Sequence, residues 1–221
     1  MKTTADIRNL FLNMHEYGEC SEDGNLEILC AQFIADEPNF FGSFSEDYAT
    51  REHEWYMSRS LNIKDIPGGP PKIWEKIAAA DDTINSNYGW AVFSEANGRQ
   101  FYNACDHLRK NLNSRHGVII YTRPSMHTDA FENGRYDFMC TNTVHMIVRS
   151  GRLWMYVNMR SSDAIFGYRY DLRWHQFVQR LALEILTLDY DHLTPGPIVW
   201  NATSFHIYPQ HFHLLEEYHG R

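Results

Sequence analysis

The sequence predicts a single domain of the α/β (α+β) class, and three observations carry that expectation. The first 34 residues pass from helical spacing into a run of β-formers. Two runs of period two, "TVHMIVR" and "LWMYVNMR", follow one another across "SGR". A long amphipathic stretch then leads into a last apolar strand. With 221 residues, 43% of them hydrophobic and 14% aromatic, the chain can fill one core and is short for two, so 1–221 is expected to be one domain.

The elements follow in order. Residues 3–15 place Ile7, Leu10, Phe11 and Met14 at helical spacing, and "NLEILCAQFI" from 25 reads as a strand. "SEDYATREHEWYMSRSL" from 45 starts with a serine cap and keeps apolar residues three and four apart until the breaker "IPGGPP" at 66–71. "KIWEKIAAA" gives a short helix, 98–112 a longer one, and "GVIIYTR" from 117 a buried strand. "SGR" between the two period-two runs predicts a hairpin turn. On the second run Leu153, Met155, Val157 and Met159 share one face, and Trp154, Tyr156, Asn158 and Arg160 the other. A helix is expected from Asp171 onward, with Trp174, Phe177, Val178, Leu181, Ile185 and Leu188 as its apolar stripe. "PIVWNATSFHIY" and a short helix end the chain.

Composition excludes several classes of function. A formal charge of -8 argues against coating nucleic acid, which needs a surplus of Lys and Arg on one face. No apolar run approaches the roughly 18 residues of a membrane span, and the N-terminus has no secretory character, so a cytoplasmic protein with reduced thiols is expected. Cys20, Cys30, Cys105 and Cys140 show no C-x-x-C spacing, and the histidines, "HFH" at 211–213 included, form no recognised metal pair. No metal is expected.

Taken singly, the chemically capable residues have plain structural readings. Cys140 reads as a small buried hydrophobe, Arg160 as a surface ion pair and Asp171 as a helix N-cap. Trp74 and Tyr88 read as core, and His206 as a satisfied core histidine.

The order of the motifs changes that. "RSSDAIFGYRYD" (160–171) resembles the R-S-x-D-x-x-x-G-x-x-x-N signature of thymidylate synthases, with "FMCTNT" upstream where that family keeps its cysteine and "FHIY" downstream where it keeps His-x-Tyr. "REHEWYMSRSLN", "PPKIWEK" and "NYGWAVF" match in the same order, so the resemblance covers about residues 25–217. "ADEP", "IPG-x-x-PKIW", "INSNYGWA", "IYTRPSM", "DFMCTNTV" and "VNMRS-x-D" are similar to the branch of the family that hydroxymethylates dCMP. The resemblance implies the thymidylate synthase fold, an antiparallel-rich mixed sheet flanked by helices, with the sheets of two subunits packed back to back in a homodimer.

The same resemblance implies roles. Cys140 would add as thiolate to carbon-6 of the pyrimidine, making carbon-5 nucleophilic. Arg160 and Ser161 would hold the phosphate, joined across the dimer by Arg115, beside which His116 stands where a second arginine is usual. His206 and Tyr208 fall at the sugar hydroxyl, and Tyr88 among the substrate contacts. The one-carbon donor implied is 5,10-methylenetetrahydrofolate, with Asp163 at its pterin and Trp74 along its site. Glu52 is the general acid/base in the shared E-x-x-W register, with Glu54 the alternative if the register slips by two.

Asp171 departs from the synthases, which place an asparagine there. An ionised carboxylate has acceptors only. It suits the exocyclic amine and protonated ring nitrogen of cytosine and opposes the carbonyl of uracil. The ending "EEYHGR" lacks the segment that closes over the synthase site, which implies a wetter pocket suited to hydration. A hydroxymethylase acting on dCMP is therefore expected, with CMP or dUMP as the alternative nucleotide. A cysteine hydrolase built on Cys140 and His206 would leave Asp163 and Trp74 without roles.

Overall fold

A computed structural model describes residues 1–219. The last two residues of "EEYHGR" lie outside the described residues. In chain order the elements are β1 (Lys2–Thr3), α1 (Thr4–Tyr17), β2 (Leu26–Ile34), α2 (Glu46–Ser58), α3 (Lys72–Ile77), α4 (Tyr88–Phe93) and α5 (Gln100–Lys110). There follow β3 (Val118–Ile120), α6 (Met126–Glu132), β4 (Thr141–Arg149), β5 (Arg152–Asp163), α7 (Gly167–Leu186), β6 (Thr194–Ile207) and α8 (His213–His219). The residues fall into two compact units: Met1–Phe44 together with Val148 onward, and Ser45–Ile147.

The first unit is built on a mixed sheet. β1 runs parallel to β2, β2 antiparallel to β6, and β5 parallel to β6. The parallel pair needs a long crossover, which α7 supplies. The face of β5 expected to be apolar is buried: Leu153, Met155 and Val157 are inaccessible and Met159 nearly so, while Trp154, Tyr156 and Asn158 are half-buried and Arg160 exposed. Ser150 and Gly151, both at positive φ, form the turn that leads into β5.

Burial then changes phase at one level of this sheet. In β2 the buried positions pass from Leu26 to Ala31 and Phe33, across Cys30 at φ 53°. In β6 they pass from Ala202 to Phe205 and Ile207, and in β5 from Met159 to Ser162 and Ala164. A strict period-two strand cannot do this. The irregular rung puts Arg160, Ser161 and Asp163 all outside the core although their numbers differ in parity.

Two expectations are corrected in this unit. α7 starts at Gly167, four residues before Asp171, so Asp171 sits in its second turn and is not its N-cap. The cap residue, Phe166, makes no side-chain cap hydrogen bond; the turn that precedes the helix is closed by Asp163, whose carboxylate accepts the backbone N–H of Ile165 (2.8 Å) and Phe166 (3.1 Å). The buried stripe of α7 also differs: Tyr168, Leu172, His175, Gln179, Ala182 and Leu186 line it, Trp174 and Val178 are buried beside them, and Leu188 lies exposed beyond the helix end. Gln179 is buried because its amide donates to the carbonyls of Leu153 (2.8 Å) and Gly196 (3.0 Å), where the β5–β6 register shifts.

In the second unit α2 is capped by Ser45 as expected, and β3 pairs antiparallel with β4. β3 is not the fully buried strand expected from "GVIIYTR": Ile119 is buried, but Val118 and Ile120 are exposed, because the short strand covers only one of its faces. α4 packs so closely on α2 that a Cβ on Gly89 would lie 1.8 Å from the carbonyl oxygen of Tyr56. Asn87 caps α4 through the N–H of Trp90 and donates its amide to the carbonyls of Trp55 and Ser60.

Candidate active site

Within the second unit, α2 carries Tyr48, Glu52 and Tyr56 on one stripe, spaced four apart. Glu52 is buried, and the Tyr48 hydroxyl donates to its Oε1 at 2.7 Å. Burial pushes the carboxyl up to about 7, against the opposing pull of hydrogen bonds from Tyr48 and Tyr56. Glu54, the other register, is exposed. The Tyr56 ring stacks on Tyr88 at 5.2 Å, and the Tyr88 hydroxyl lies 3.1 Å from Thr141 Oγ1, the residue after Cys140. A run of aromatic and hydroxyl contacts thus ties the glutamate to the chain neighbour of the cysteine.

Cys140 is half-buried at the entrance to β4. The loop before it is pinned at Asp137, whose Oδ2 accepts the Asn85 N–H at 2.7 Å, while the Asn85 amide donates to the Asp137 carbonyl at 3.3 Å. Burial pushes the Asp137 carboxyl above its usual range. Arg123 holds the other end of Asn85, donating to its Oδ1 at 2.8 Å, with its guanidinium 4.5 Å over the Trp90 ring. Trp74 packs on Trp55 with ring centres 6.1 Å apart, and its indole Nε1 is buried with no hydrogen-bond partner. Such a donor lacks an acceptor that a bound molecule can supply. Arg115 lies on the exposed segment between α5 and β3, next to His116.

In the first unit, Arg160 is exposed and Ser161 half-buried on the irregular rung of β5. Asp163 holds the turn into α7, and Gly167 sits between it and Asp171: a Cβ there would lie 3.5 Å from Asp163 Cβ and 3.8 Å from Asp171 Oδ2. The two carboxylates therefore flank one bare backbone position. Asp163 lies opposite His206 in the β5–β6 ladder. His206 is buried, with Nδ1 3.3 Å from Ser204 Oγ and its ring edge-on to Tyr208 at 4.7 Å. Tyr208 is partly exposed.

Each unit thus gathers its own set: Glu52, Trp74, Tyr88 and Cys140 in one, and Arg160, Ser161, Asp163, Asp171, His206 and Tyr208 in the other. Sequence reasoning did not find Tyr48 and Tyr56, although their i±4 spacing from Glu52 was available. It also missed Arg8 and Arg169. Arg8 donates to the carbonyls of Asn39 and Phe40, Arg169 to those of Phe41 and Ser43, and the Tyr168 hydroxyl to that of Glu37, so the 37–43 loop is held along its length. No pattern marks arginines that serve backbone carbonyls.

A buried glutamate whose carboxyl is pushed up to about 7, linked through Tyr56, Tyr88 and Thr141 to the neighbourhood of a half-buried cysteine, suits an enzyme of the acid/base and nucleophilic class. Residues 45–221 match the model of the family described as thymidylate synthase, and the chain belongs to that family. Within it, the chain is 45% identical over 199 residues to the deoxycytidylate 5-hydroxymethyltransferase of Enterobacteria phage T6, covering 87% of this chain and 79% of that one. The enzyme of the same name from Enterobacteria phage T4 is 45% identical over 195 residues, with the same coverage. Thermostable thymidylate synthase A from Bacillus subtilis, 20% identical, aligns over 89% of this chain and 71% of that one with a TM-score of 0.67, a likeness of fold. Among the described residues no helix is long and apolar enough to cross a membrane, and no cluster of three His, Cys, Asp or Glu could hold a metal.

Proposed function

We propose that this protein transfers a hydroxymethyl group to carbon-5 of dCMP, giving 5-hydroxymethyl-dCMP and tetrahydrofolate. The observation that carries the reading is the 45% identity, over 87% of the chain, to enzymes named for this transfer. Residues 1–221 act as a single catalytic domain.

Cys140 is the nucleophile: its thiolate adds to carbon-6 and leaves carbon-5 electron-rich. Arg160 and Ser161 bind the phosphate. Arg115 is lent to the partner subunit's phosphate in a back-to-back homodimer. Asp171 accepts hydrogen bonds from the amine and protonated ring nitrogen of cytosine. His206 and Tyr208 meet the sugar hydroxyl, and Tyr88 supports the site from behind through Thr141.

Bound 5,10-methylenetetrahydrofolate supplies a one-carbon unit at the oxidation level of formaldehyde. The unpartnered Trp74 N–H and the Asp163 carboxylate fit such a heterocycle, which offers both acceptors and donors. Glu52, raised to about 7, is poised to take and return protons near neutral pH and to orient the water whose oxygen ends on the new carbon. Nucleotide and folate are cytoplasmic solutes, so the enzyme acts in the cytoplasm, that of an infected bacterial host if phage-encoded.

The test is incubation with methylenetetrahydrofolate and dCMP tritiated at carbon-5. Folate-dependent tritium release, with a product heavier by one hydroxymethyl group, is expected. Faster turnover of dUMP or CMP than of dCMP would overturn the choice of nucleotide, and no release from any of the three would overturn the reaction.

A further inference from the structure

We infer that Glu27 and Ser204 fix the proton of His206 on Nδ1, and so make its Nε2 an acceptor for a sugar hydroxyl of the nucleotide; the sugar contact rests on the function proposed above. The antiparallel β2–β6 ladder sets Glu27 directly opposite His206, and Ser204 lies two residues before His206 on the same face. The Ser204 hydroxyl donates to Glu27 Oε1, and Ser204 Oγ is 3.3 Å from His206 Nδ1.

A serine hydroxyl has one proton. An ionised carboxylate can only accept, so that proton goes to Glu27, and Ser204 offers His206 nothing but lone pairs. Nδ1 must then be the donor. The neutral ring is left with a bare Nε2, and among the described residues the ring's hydrogen bonding runs through Nδ1. Burial and the edge-on Tyr208 ring hold the imidazole in this orientation.

A bare ring nitrogen rejects carbonyl and phosphate oxygens and takes an O–H. A sugar hydroxyl can donate to Nε2 and accept from the Tyr208 hydroxyl, which satisfies it in both senses. Ser204 and Glu27 are thus positioning residues, acting on the nucleotide through His206.

The experiment has a spectroscopic and a kinetic arm. Imidazole ¹⁵N–¹H correlation of the wild type above neutral pH is expected to show His206 protonated on Nδ1. In Glu27→Ala the freed Ser204 hydroxyl can donate to Nδ1, and the signal is expected to move toward the Nε2–H form. In the kinetic arm, replacing dCMP by 2′,3′-dideoxycytidine monophosphate is expected to lower kcat/KM of the wild type roughly tenfold, the worth of one good hydrogen bond. That penalty should shrink severalfold in Ser204→Ala and return in Ser204→Thr, which keeps the oxygen. An Nε2–H signal in the wild type, or the same penalty in wild type and Ser204→Ala, overturns the inference. A wild type that turns over no dCMP overturns the functional reading and the sugar contact with it, while the spectrum still decides where the proton sits.

Discussion

At the scale of the residue, burial moves Glu52 well away from its chemistry in water. Its native carboxyl titrates at about 7 against a usual 4.5, so between those values the folded chain binds more protons than the unfolded one. Stability from this group is therefore intact below about pH 4.5 and declines as pH rises through 7. Glu52→Gln removes the titration. The stability of wild type relative to Glu52→Gln is expected to fall by up to about 3 kcal/mol across that window, read from urea denaturation at several pH values. A difference independent of pH would refute the burial argument. In the same variant kcat is expected to drop roughly 10²- to 10⁴-fold, the usual share of a general acid/base. Asp171 makes a separate prediction. Asp171→Asn exchanges an acceptor-only edge for one that can also donate, so the dCMP-to-dUMP ratio of kcat/KM is expected to fall by at least about 10³ and to invert. An unchanged ratio would show that residue 171 does not read the base.

At the scale of the element, the approach of α4 to α2 is what sets Tyr88 against Tyr56, the neighbour of Glu52 on α2. Gly89 allows it, since any larger residue would drive its Cβ into the Tyr56 carbonyl. Gly89→Ala is expected to cost roughly 2–4 kcal/mol and to lower kcat by displacing Tyr56; urea midpoints near wild type would sink this account. The elements also show why some features were legible in the sequence and others were not. From Leu153 to Met159 β5 alternates cleanly because one face is buried, and α2 announces itself through Ser45 and its three- and four-residue spacing. The start of α7 is hidden because it has a phenylalanine at the cap, no side-chain cap hydrogen bond and no acid in its first turn. Its stripe was misread because His175 and Gln179 are buried polar residues, and Gln179 is there for the carbonyls at a register shift. α4 and α6 are too short for periodicity to declare them. The candidate site residues were named through motif order. Their supports were not: Asn85 acts through Asp137, distant in sequence, and Tyr48, Tyr56 and Ser204, though close in sequence to Glu52 and His206, are singled out by no motif.

At the scale of the whole molecule, the proposed homodimer makes the phosphate site a shared property of two chains. Arg115 lies on an exposed segment, where a side chain can serve a neighbouring subunit. If it does, an Arg115 defect in one chain and a Cys140 defect in the other fall on the same site of their heterodimer and leave its second site whole. Arg115→Ala is expected to raise KM for dCMP, because Arg160 and Ser161 remain to hold part of the charge. Cys140→Ser is expected to abolish turnover, because nothing else can add to carbon-6. When the two variants are mixed, dissociated and allowed to reassociate, half of the dimers pair one chain of each kind. One of the two sites in such a dimer then carries both defects, and the other draws an intact cysteine from one chain and an intact arginine from its partner. Random pairing is expected to restore about a quarter of wild-type activity at low dCMP, above the residual activity contributed by the Arg115→Ala dimers. Activity that stays at the simple sum of the two preparations, with sedimentation confirming that chains have exchanged, would place Arg115 in the site of its own subunit or in none.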